Sequence, residues 1–248
     1  MPEVAVAEHP GVGLDGRLRP TEDHVLVLPH AVILLDGATQ PRPDLPTGGW
    51  YAGLLIKELG RTVTVDADLA DALALAIETV ATDNGLEPRN SPSSTVAIAR
   101  WTEERVDALV LADSPIVVCG RNGVEVLFDD RLFSLRNNKK LRTSKDVYQL
   151  RNADGGFWVA EADPKAAYQA IQRGWRREDV DVVMLASDGV SAGVDEYQLF
   201  GWLDVAAMEP SEVLETVRAA ERDDPDGKRW PRSKIHDDQA LAVVRFQG

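Results

Sequence analysis

Acidic residues stand where apolar runs of the sequence begin or end, and carboxylates in such positions can bind metal ions. The acidic pairs are, in chain order, Asp36-Gly37 after one apolar run, Asp188-Gly189 after another, and Asp237-Asp238 just before a third. A buried carboxylate needs a compensating partner, because moving an unpaired charge out of water is costly. Oxygen ligands select hard cations such as Mg²⁺, Mn²⁺ or Ca²⁺, and two such ions can activate a bridging water. The pattern therefore predicts a divalent-metal site able to hold a phosphoryl group.

A plain turn is the alternative interpretation of each pair. Asp followed by Gly is common after a strand, because both residues tolerate turn conformations. One such pair alone favours a turn, whereas three coincident acidic strand ends favour a metal site. The sequence offers no convincing serine, cysteine or histidine nucleophile. Its one cysteine, Cys119, lies in an apolar run that favours a buried, inert thiol.

Apolar patterning places these acidic residues at the ends of strands. Residues 25–28 and 31–35 predict a hairpin, and short runs at 94–99, 106–111, 115–119 and 124–128 predict an antiparallel meander. Helices are predicted at 50–59, 68–82, 164–172 and 212–221, and further strands at 181–187 and 240–246. Residues 1–16, 38–48, 129–163 and 222–236 are predicted to be irregular. Helices and strands that come in blocks indicate the α+β class with antiparallel sheets.

Composition and charge narrow the class of protein. The 248 residues suffice for one large domain or two small ones, and no internal repeat or linker is visible. A formal charge of −14 repels phosphate backbones and anionic lipids, so we expect no nucleic-acid partner and no membrane partner. The sequence shows neither a signal-peptide pattern nor an apolar run of about 18 residues. We therefore expect a soluble, cytoplasmic protein.

Six short motifs follow one another in an order typical of a single family. They are Arg19 with Glu22-Asp23, Asp36-Gly37, Ser93-Ser94-Thr95, Ala112-Asp113-Ser114, Ala186-Ser187-Asp188-Gly189, and Asp237-Asp238-Gln239. In these motifs and their order, over nearly its whole length, the chain resembles the metal-dependent protein phosphatases of the 2C (PPM) family, in their bacterial form.

The resemblance implies the architecture of the chain. It implies a four-layer α/β/β/α sandwich of the α+β class, with two antiparallel sheets flanked by helices. Residues 1–248 would form a single phosphatase domain, with a variable flap at about 137–163 beside the active site. A local basic cluster lies there, and its residues are Arg136, Lys139, Lys140, Arg142 and Lys145. The cluster is either a solvated loop or a surface that orients an acidic phosphopeptide.

The resemblance also assigns roles to single residues. The implied ligands of a first metal ion are Asp36, Asp188 and Asp237. A second ion would be held by Asp36 and the Gly37 carbonyl, with Glu22 acting through water. Asp113 would help to hold a weaker third ion beside Asp188. The ions would be Mn²⁺ or Mg²⁺. Arg19 would bind the substrate phosphate, and Arg17 is the alternative because the spacing to Glu22 departs from the family pattern by one residue.

The implied activity is hydrolysis of phosphoserine or phosphothreonine by a metal-bridging hydroxide, without a phosphoenzyme. The substrate would be a phosphoprotein, the opposing enzyme a Ser/Thr kinase, and the phosphatase a monomer. The sequence departs from the family at Ala38-Thr39-Gln40, because neither the histidine nor the glycines that often follow Asp-Gly are present. A non-catalytic binding module of the same fold is therefore the alternative. A haloacid-dehalogenase-type phosphatase is disfavoured, since it needs Asp-x-Asp where the chain has Asp36-Gly37-Ala38.

Overall fold

Two antiparallel sheets pack face to face, and helices cover the outer face of each. The structure, a computed structural model, describes residues 1–38, 44–232 and 234–246. Within these residues the strands are β1 (Glu3–His9), β2 (Asp23–Leu28), β3 (Ala31–Asp36), β4 (Val96–Trp101), β5 (Arg105–Leu111), β6 (Ile116–Gly120), β7 (Gly123–Leu127), β8 (Ile171–Arg176), β9 (Val180–Ala186) and β10 (Gln239–Arg245). The helices are α1 (Gly48–Thr62), α2 (Leu69–Asn84), α3 (Arg131–Asn137), α4 (Ser144–Leu150), α5 (Asp188–Asp195), α6 (Trp202–Ala207) and α7 (Pro210–Asp223). None of these helices is long and apolar enough to cross a membrane.

The strand order mixes early and late parts of the chain. The first sheet has the order β1-β10-β9-β6-β7 and the second sheet the order β2-β3-β4-β5-β8, with antiparallel pairing throughout. This confirms the predicted α+β sandwich of two antiparallel sheets flanked by helices. The predicted meander is wrong, because the chain changes sheet between β5 and β6. The pairs β4–β5 and β6–β7 are each formed as expected, but they belong to different sheets.

Strand β3 lies between two apolar layers. Ala31, Ile33 and Leu35 pack against α1 and α2, while Val32 and Leu34 point into the core between the sheets. All five side chains are fully buried. A strand covered on both faces must be apolar throughout, and each fully buried Leu or Ile contributes about 1.5–3 kcal/mol. A third apolar layer lies between the first sheet and helices α5–α7.

Helix α1 begins before and ends after the predicted span of 50–59. Thr47 caps its first turn, because the Thr47 hydroxyl accepts the backbone N–H of Trp50 at 3.1 Å. The helix continues through Gly60, where the sequence predicts its end. A Cβ on Gly60 would lie 2.9 Å from the Leu26 side chain, so this glycine permits close packing of the helix on β2.

Several elements lie in segments predicted to be irregular or to have another type. Strand β1 falls within residues 1–16 and pairs with β10 along its full length. Helices α3 and α4 fall within 129–163, and α4 begins with a capping box formed by Thr143 and Asp146. The helix predicted at 164–172 is a 3₁₀ turn, Pro164–Gln169, followed by strand β8.

Candidate active site

The acidic strand ends meet at one end of the sandwich, in a cleft of about 740 Å³. The residues predicted as metal ligands all line this cleft: Glu22, Asp36, Gly37, Asp113, Asp188 and Asp237. Asp36 ends β3 in the second sheet, whereas Asp188 follows β9 and Asp237 precedes β10 in the first sheet. Carboxylates from the two sheets therefore converge on a common space.

Hydrogen bonds hold the backbone of Asp36 from two directions. Its N–H donates to the Thr95 hydroxyl at 3.0 Å, and its carbonyl accepts from the Thr95 N–H at 2.8 Å and the Ser94 hydroxyl at 2.9 Å. The Thr95 hydroxyl also lies 2.6 Å from the Ser114 hydroxyl. The motifs at 93–95 and 112–114 thus act as a clamp that fixes the end of β3.

The clamp includes a residue in an unusual backbone conformation. Ala112 has a φ of 70°, in the left-handed region that favours glycine. Its N–H donates to the buried Asp129 carboxylate at 3.2 Å, which holds the turn between β5 and β6. This turn places Asp113 in the cleft, where its carboxylate lies 3.7 Å from the Arg136 guanidinium.

Asp23 is a further carboxylate to which the sequence assigned no role beyond its motif. It stands directly opposite Asp36 in the β2–β3 register and is 1% exposed. The Ser187 side chain forms a hydrogen bond with its carboxylate. Its Oδ2 atom has no hydrogen-bond partner among the described residues. Burial, followed by the charges of Asp188 and Asp238, holds the pKa of Asp23 well above its usual range.

Like charge and burial raise the proton affinity of the neighbouring carboxylates. Burial, followed by Asp23 and Asp188, raises the pKa of Asp36. Burial, followed by Asp237 and Asp113, raises the pKa of Asp188, although its side chain is open to the cleft. Such a group of carboxylates favours a bound cation.

Two glycines pack against Gly37, although no glycine follows it directly in the sequence. A Cβ on Gly37 would lie 2.4 Å from the backbone nitrogen of Gly49 and 2.5 Å from the carbonyl carbon of Gly48. The Gly49 N–H donates to the Glu22 carboxylate at 3.3 Å. No glycine follows Asp36-Gly37 directly, and the two glycines at the start of α1, Gly48 and Gly49, instead lie against the Gly37 backbone. The departure at Thr39-Gln40 lies outside the described residues.

The sequence analysis did not identify Lys234 as a residue of the site. Its ammonium group lies 2.5 Å from Asp237 Oδ1 and 3.3 Å from Asp238 Oδ1. The other Asp238 oxygen accepts the Glu22 N–H at 2.6 Å. Burial disfavours the ammonium charge, but the two aspartates outweigh it and raise the pKa of Lys234. The signal in the sequence was a lysine three residues before the acidic pair, within a segment already rich in charge.

Arg19 lies outside the set of residues that line the cleft. Its guanidinium pairs with Asp15 at 3.0 Å, and the side chain is about half exposed. Arg17 donates its backbone N–H to the same Asp15 carboxylate. The assignment of substrate phosphate to Arg19, or to Arg17, stays a prediction. Among the described residues, the basic ones that line the cleft are Arg89, Arg136, Lys145, Arg151 and Lys234.

The donor set fits a hard divalent cation in its chemistry. The groups are carboxylates and one backbone carbonyl, they raise one another's pKa, and one buried carboxylate oxygen of Asp23 has no hydrogen-bond partner among the described residues. Among the residues that the structure describes, no three Asp, Glu, His or Cys side chains are grouped closely enough to hold a metal ion as they stand. Asp237 is instead paired with Lys234.

A family model described as "Protein phosphatase 2C" matches residues 50–221, which is more than half of the chain. The chain belongs to the protein phosphatase 2C family. Residues 50–221 include the motifs around Ser94, Asp113 and Asp188, so the match covers both the clamp and one strand end of the cleft. A search of curated proteins found no match.

Solved structures with the same fold confirm the architecture of this protein phosphatase 2C member. PppA, described as a key regulatory component of T6SS in Pseudomonas aeruginosa, is 16% identical, with a TM-score of 0.66 over 98% of this chain and 97% of that chain. The catalytic domain of the serine threonine protein phosphatase PstP, in complex with 2 manganese ions, is 15% identical, with a TM-score of 0.64 over 98% and 97%. Stp1 from Staphylococcus aureus, a serine/threonine phosphatase, is 16% identical, with a TM-score of 0.65 over 100% and 96%.

Removal of the Thr95 hydroxyl is expected to destabilise the clamp. Thr95→Val leaves the Asp36 N–H and the Ser114 hydroxyl without their partner, which should lower the free energy of unfolding by about 1–3 kcal/mol. Urea unfolding followed by circular dichroism measures this loss.

The double variant Thr95→Val/Ser114→Ala is the matched control. Because the two hydroxyls bond to each other, their losses should be non-additive by about 0.5 kcal/mol or more. Strictly additive losses would show that the contact between the two hydroxyls contributes nothing to the stability of the clamp.

Proposed function

We propose that the chain is a metal-dependent phosphomonoester hydrolase that acts on phosphoserine or phosphothreonine in proteins. The observation that carries the proposal is the convergence of Asp36, Asp188 and Asp237 on one cleft. Membership of the protein phosphatase 2C family supports it. A module that only bound a partner would not need three carboxylates that repel one another in a common space.

Mn²⁺ or Mg²⁺ is the proposed cofactor, and one solved relative contains 2 manganese ions. The residues that would hold two ions are Asp36, Asp188 and Asp237, the Gly37 carbonyl, and Glu22 through water, with Asp113 at a third. When bound, such a pair of ions supplies an activated water near neutral pH. The clamp would position the ligands of both ions, since it fixes the backbone that carries Asp36 and Gly37.

The chain offers two cations for the charge of the substrate phosphate. Arg19 would bind phosphate with both prongs of its guanidinium, as planar geometry allows. To bind phosphate, Arg19 would have to leave its exposed ion pair with Asp15. Little stability would be lost, because exposed ion pairs contribute about 0–1 kcal/mol. Lys234 already stands in the cleft and can donate to a phosphate oxygen from its place beside Asp237.

The non-catalytic alternative rests on the absence of glycines directly after Asp36-Gly37. Gly48 and Gly49 lie against the Gly37 backbone and permit a close approach there, which supports the enzyme proposal. PppA is described as a regulatory component, but that description concerns PppA. The alternative becomes the preferred reading if the protein binds no divalent ion.

Asp188→Asn should abolish both activity and stabilisation by metal. Even residues that only support metal ligands affect activity by about 10–100-fold, so removal of a ligand should lower the kcat for p-nitrophenyl phosphate with Mn²⁺ by more than about 100-fold. The rise in Tm that Mn²⁺ causes in the unchanged protein should also disappear.

Asp181→Asn is the control for this variant, because Asp181 is an exposed aspartate on β9 away from the cleft. It should keep full activity and the Mn²⁺-dependent shift in Tm. If calorimetry of the unchanged protein detects no binding of Mn²⁺ or Mg²⁺, the enzyme proposal fails and the binding-module alternative replaces it.

Arg19→Ala should raise KM more than it lowers kcat. A hydrogen bond to a charged group contributes about 1.5–3 kcal/mol, so KM for an aryl phosphate should rise roughly tenfold. Initial rates measured across substrate concentrations separate the two constants. An unchanged KM in this variant, with a raised KM in Arg17→Ala or Lys234→Gln, would move the role to Arg17 or Lys234.

Cys119→Ser should leave activity unchanged, since the proposed hydrolysis needs no protein nucleophile. Cys119 is 6% exposed and burial raises the pKa of its thiol, so little reactive thiolate exists near neutral pH. Rapid-quench kinetics should show no burst of alcohol release. A trapped phosphoenzyme would refute direct hydrolysis even with the fold correct.

A further inference from the structure

A basic segment borders the cleft of this otherwise acidic protein. Residues 131–151, here called the basic flap, contain seven arginines and lysines and a single acidic residue, Asp146. The whole chain has a formal charge of −14. The basic flap comprises α3, α4 and their connection, and several of its residues line the cleft.

Some of these cations are engaged in holding the basic flap in place. Arg131 pairs with Asp129 at 2.6 Å, and Arg151 lies 3.7 Å from Glu161. The only acid of the segment is also engaged, because the Asp146 carboxylate accepts the Thr143 N–H at 2.8 Å in the capping box of α4. In the middle of the segment, Arg136 lies 3.7 Å from the Asp113 carboxylate and Arg142 donates to the Lys139 carbonyl at 2.8 Å, which leaves the three lysines to be accounted for.

Three lysines in the middle of the basic flap are exposed and have no carboxylate partner among the described residues: Lys139, Lys140 and Lys145. Lys139 and Lys140 lie in the connection between α3 and α4, and Lys145 lies in the first turn of α4 and lines the cleft. Long charged side chains left without partners beside a cleft are available to a ligand of opposite charge.

The cleft therefore has two sides of opposite charge. Its floor carries Asp36, Asp188 and Asp237, and its flap side carries Lys145 and Arg136. A phosphorylated side chain reaching the floor would leave the neighbouring residues of its peptide over the flap side. Acidic neighbours would meet unpaired lysines there, whereas basic neighbours would meet like charge.

We propose that the basic flap selects phosphoprotein substrates in which the phosphorylated residue is flanked by acidic residues. This rests on the proposed phosphatase function and names the substrate class of the same site. Exposed ion pairs are individually weak, at about 1.4–5-fold in affinity each. Three of them together should favour an acidic over a basic peptide by roughly tenfold or more in kcat/KM.

The test uses phosphothreonine peptides of equal length with flanking aspartates, alanines or lysines, assayed with Mn²⁺ at low salt. The acidic peptide should have the highest kcat/KM and the lysine peptide the lowest. At about 1 M salt, where the screening length is about 3 Å, the difference should largely vanish. An equal or reversed order at low salt would overturn the proposal.

The triple variant Lys139→Glu/Lys140→Glu/Lys145→Glu should reverse the order of the peptides. Its matched control is Lys57→Glu/Lys165→Glu/Lys228→Glu, which makes the same change in net charge at exposed lysines elsewhere. The control should keep the preference for acidic peptides. If both triple variants lose it equally, overall charge and not the basic flap determines specificity, and the proposal fails.

Peptide binding and aryl phosphate turnover separate this proposal from the proposed function. Fluorescence anisotropy with the labelled peptides measures the preference without catalysis, and the alanine triple variant at the same lysines repeats the test with a smaller change. A preference for acidic peptides in binding, without turnover of p-nitrophenyl phosphate, would refute the phosphatase and support selection by the basic flap. Turnover of p-nitrophenyl phosphate without any peptide preference in either assay would support the phosphatase and refute selection by the basic flap.

Discussion

The burial of β3 on both faces is the constraint on which the rest of the structure depends. One face of the strand supports α1 and α2, and the other joins the core between the sheets. A strand held in this way cannot shift by one residue without moving every side chain to the wrong face. The position of Asp36, at the end of β3, is therefore determined by packing before any ligand is considered.

Hydrogen bonds then refine what packing has positioned. Ser94 and Thr95 directly precede β4, and Ser114 lies in the turn between β5 and β6 that leads to the other sheet. Their hydroxyls and backbone groups meet at the end of β3. The hydroxyls of Ser94, Thr95 and Ser114 thus hold the backbone that presents Asp36, while Asp113, from the same motifs, lies in the cleft itself.

The sequence predicted those parts of the fold that depend on local pattern. The apolar run of β3 and the acidic residues at strand ends were visible, because they require only neighbours along the chain. The change of sheet after β5 was not predictable in this way, since strand pairing depends on packing between distant segments. The contact of Gly48 and Gly49 with Gly37 joins residues that are not neighbours in the sequence, and Lys234 is one cation in a charged segment. Neither has a distinctive linear spacing.

The distribution of the acidic groups has a mechanical consequence. Asp23 and Asp36 belong to one sheet, while Asp188 and Asp237 adjoin strands of the other. Repulsion between these carboxylates pushes the two sheets apart at one end of the sandwich. The apolar contacts between the sheets oppose that repulsion. The ammonium group of Lys234 neutralises only part of this negative charge, through its contact with Asp237. The apolar core between the sheets therefore has to hold together the end of the molecule at which like charges from the two sheets face each other.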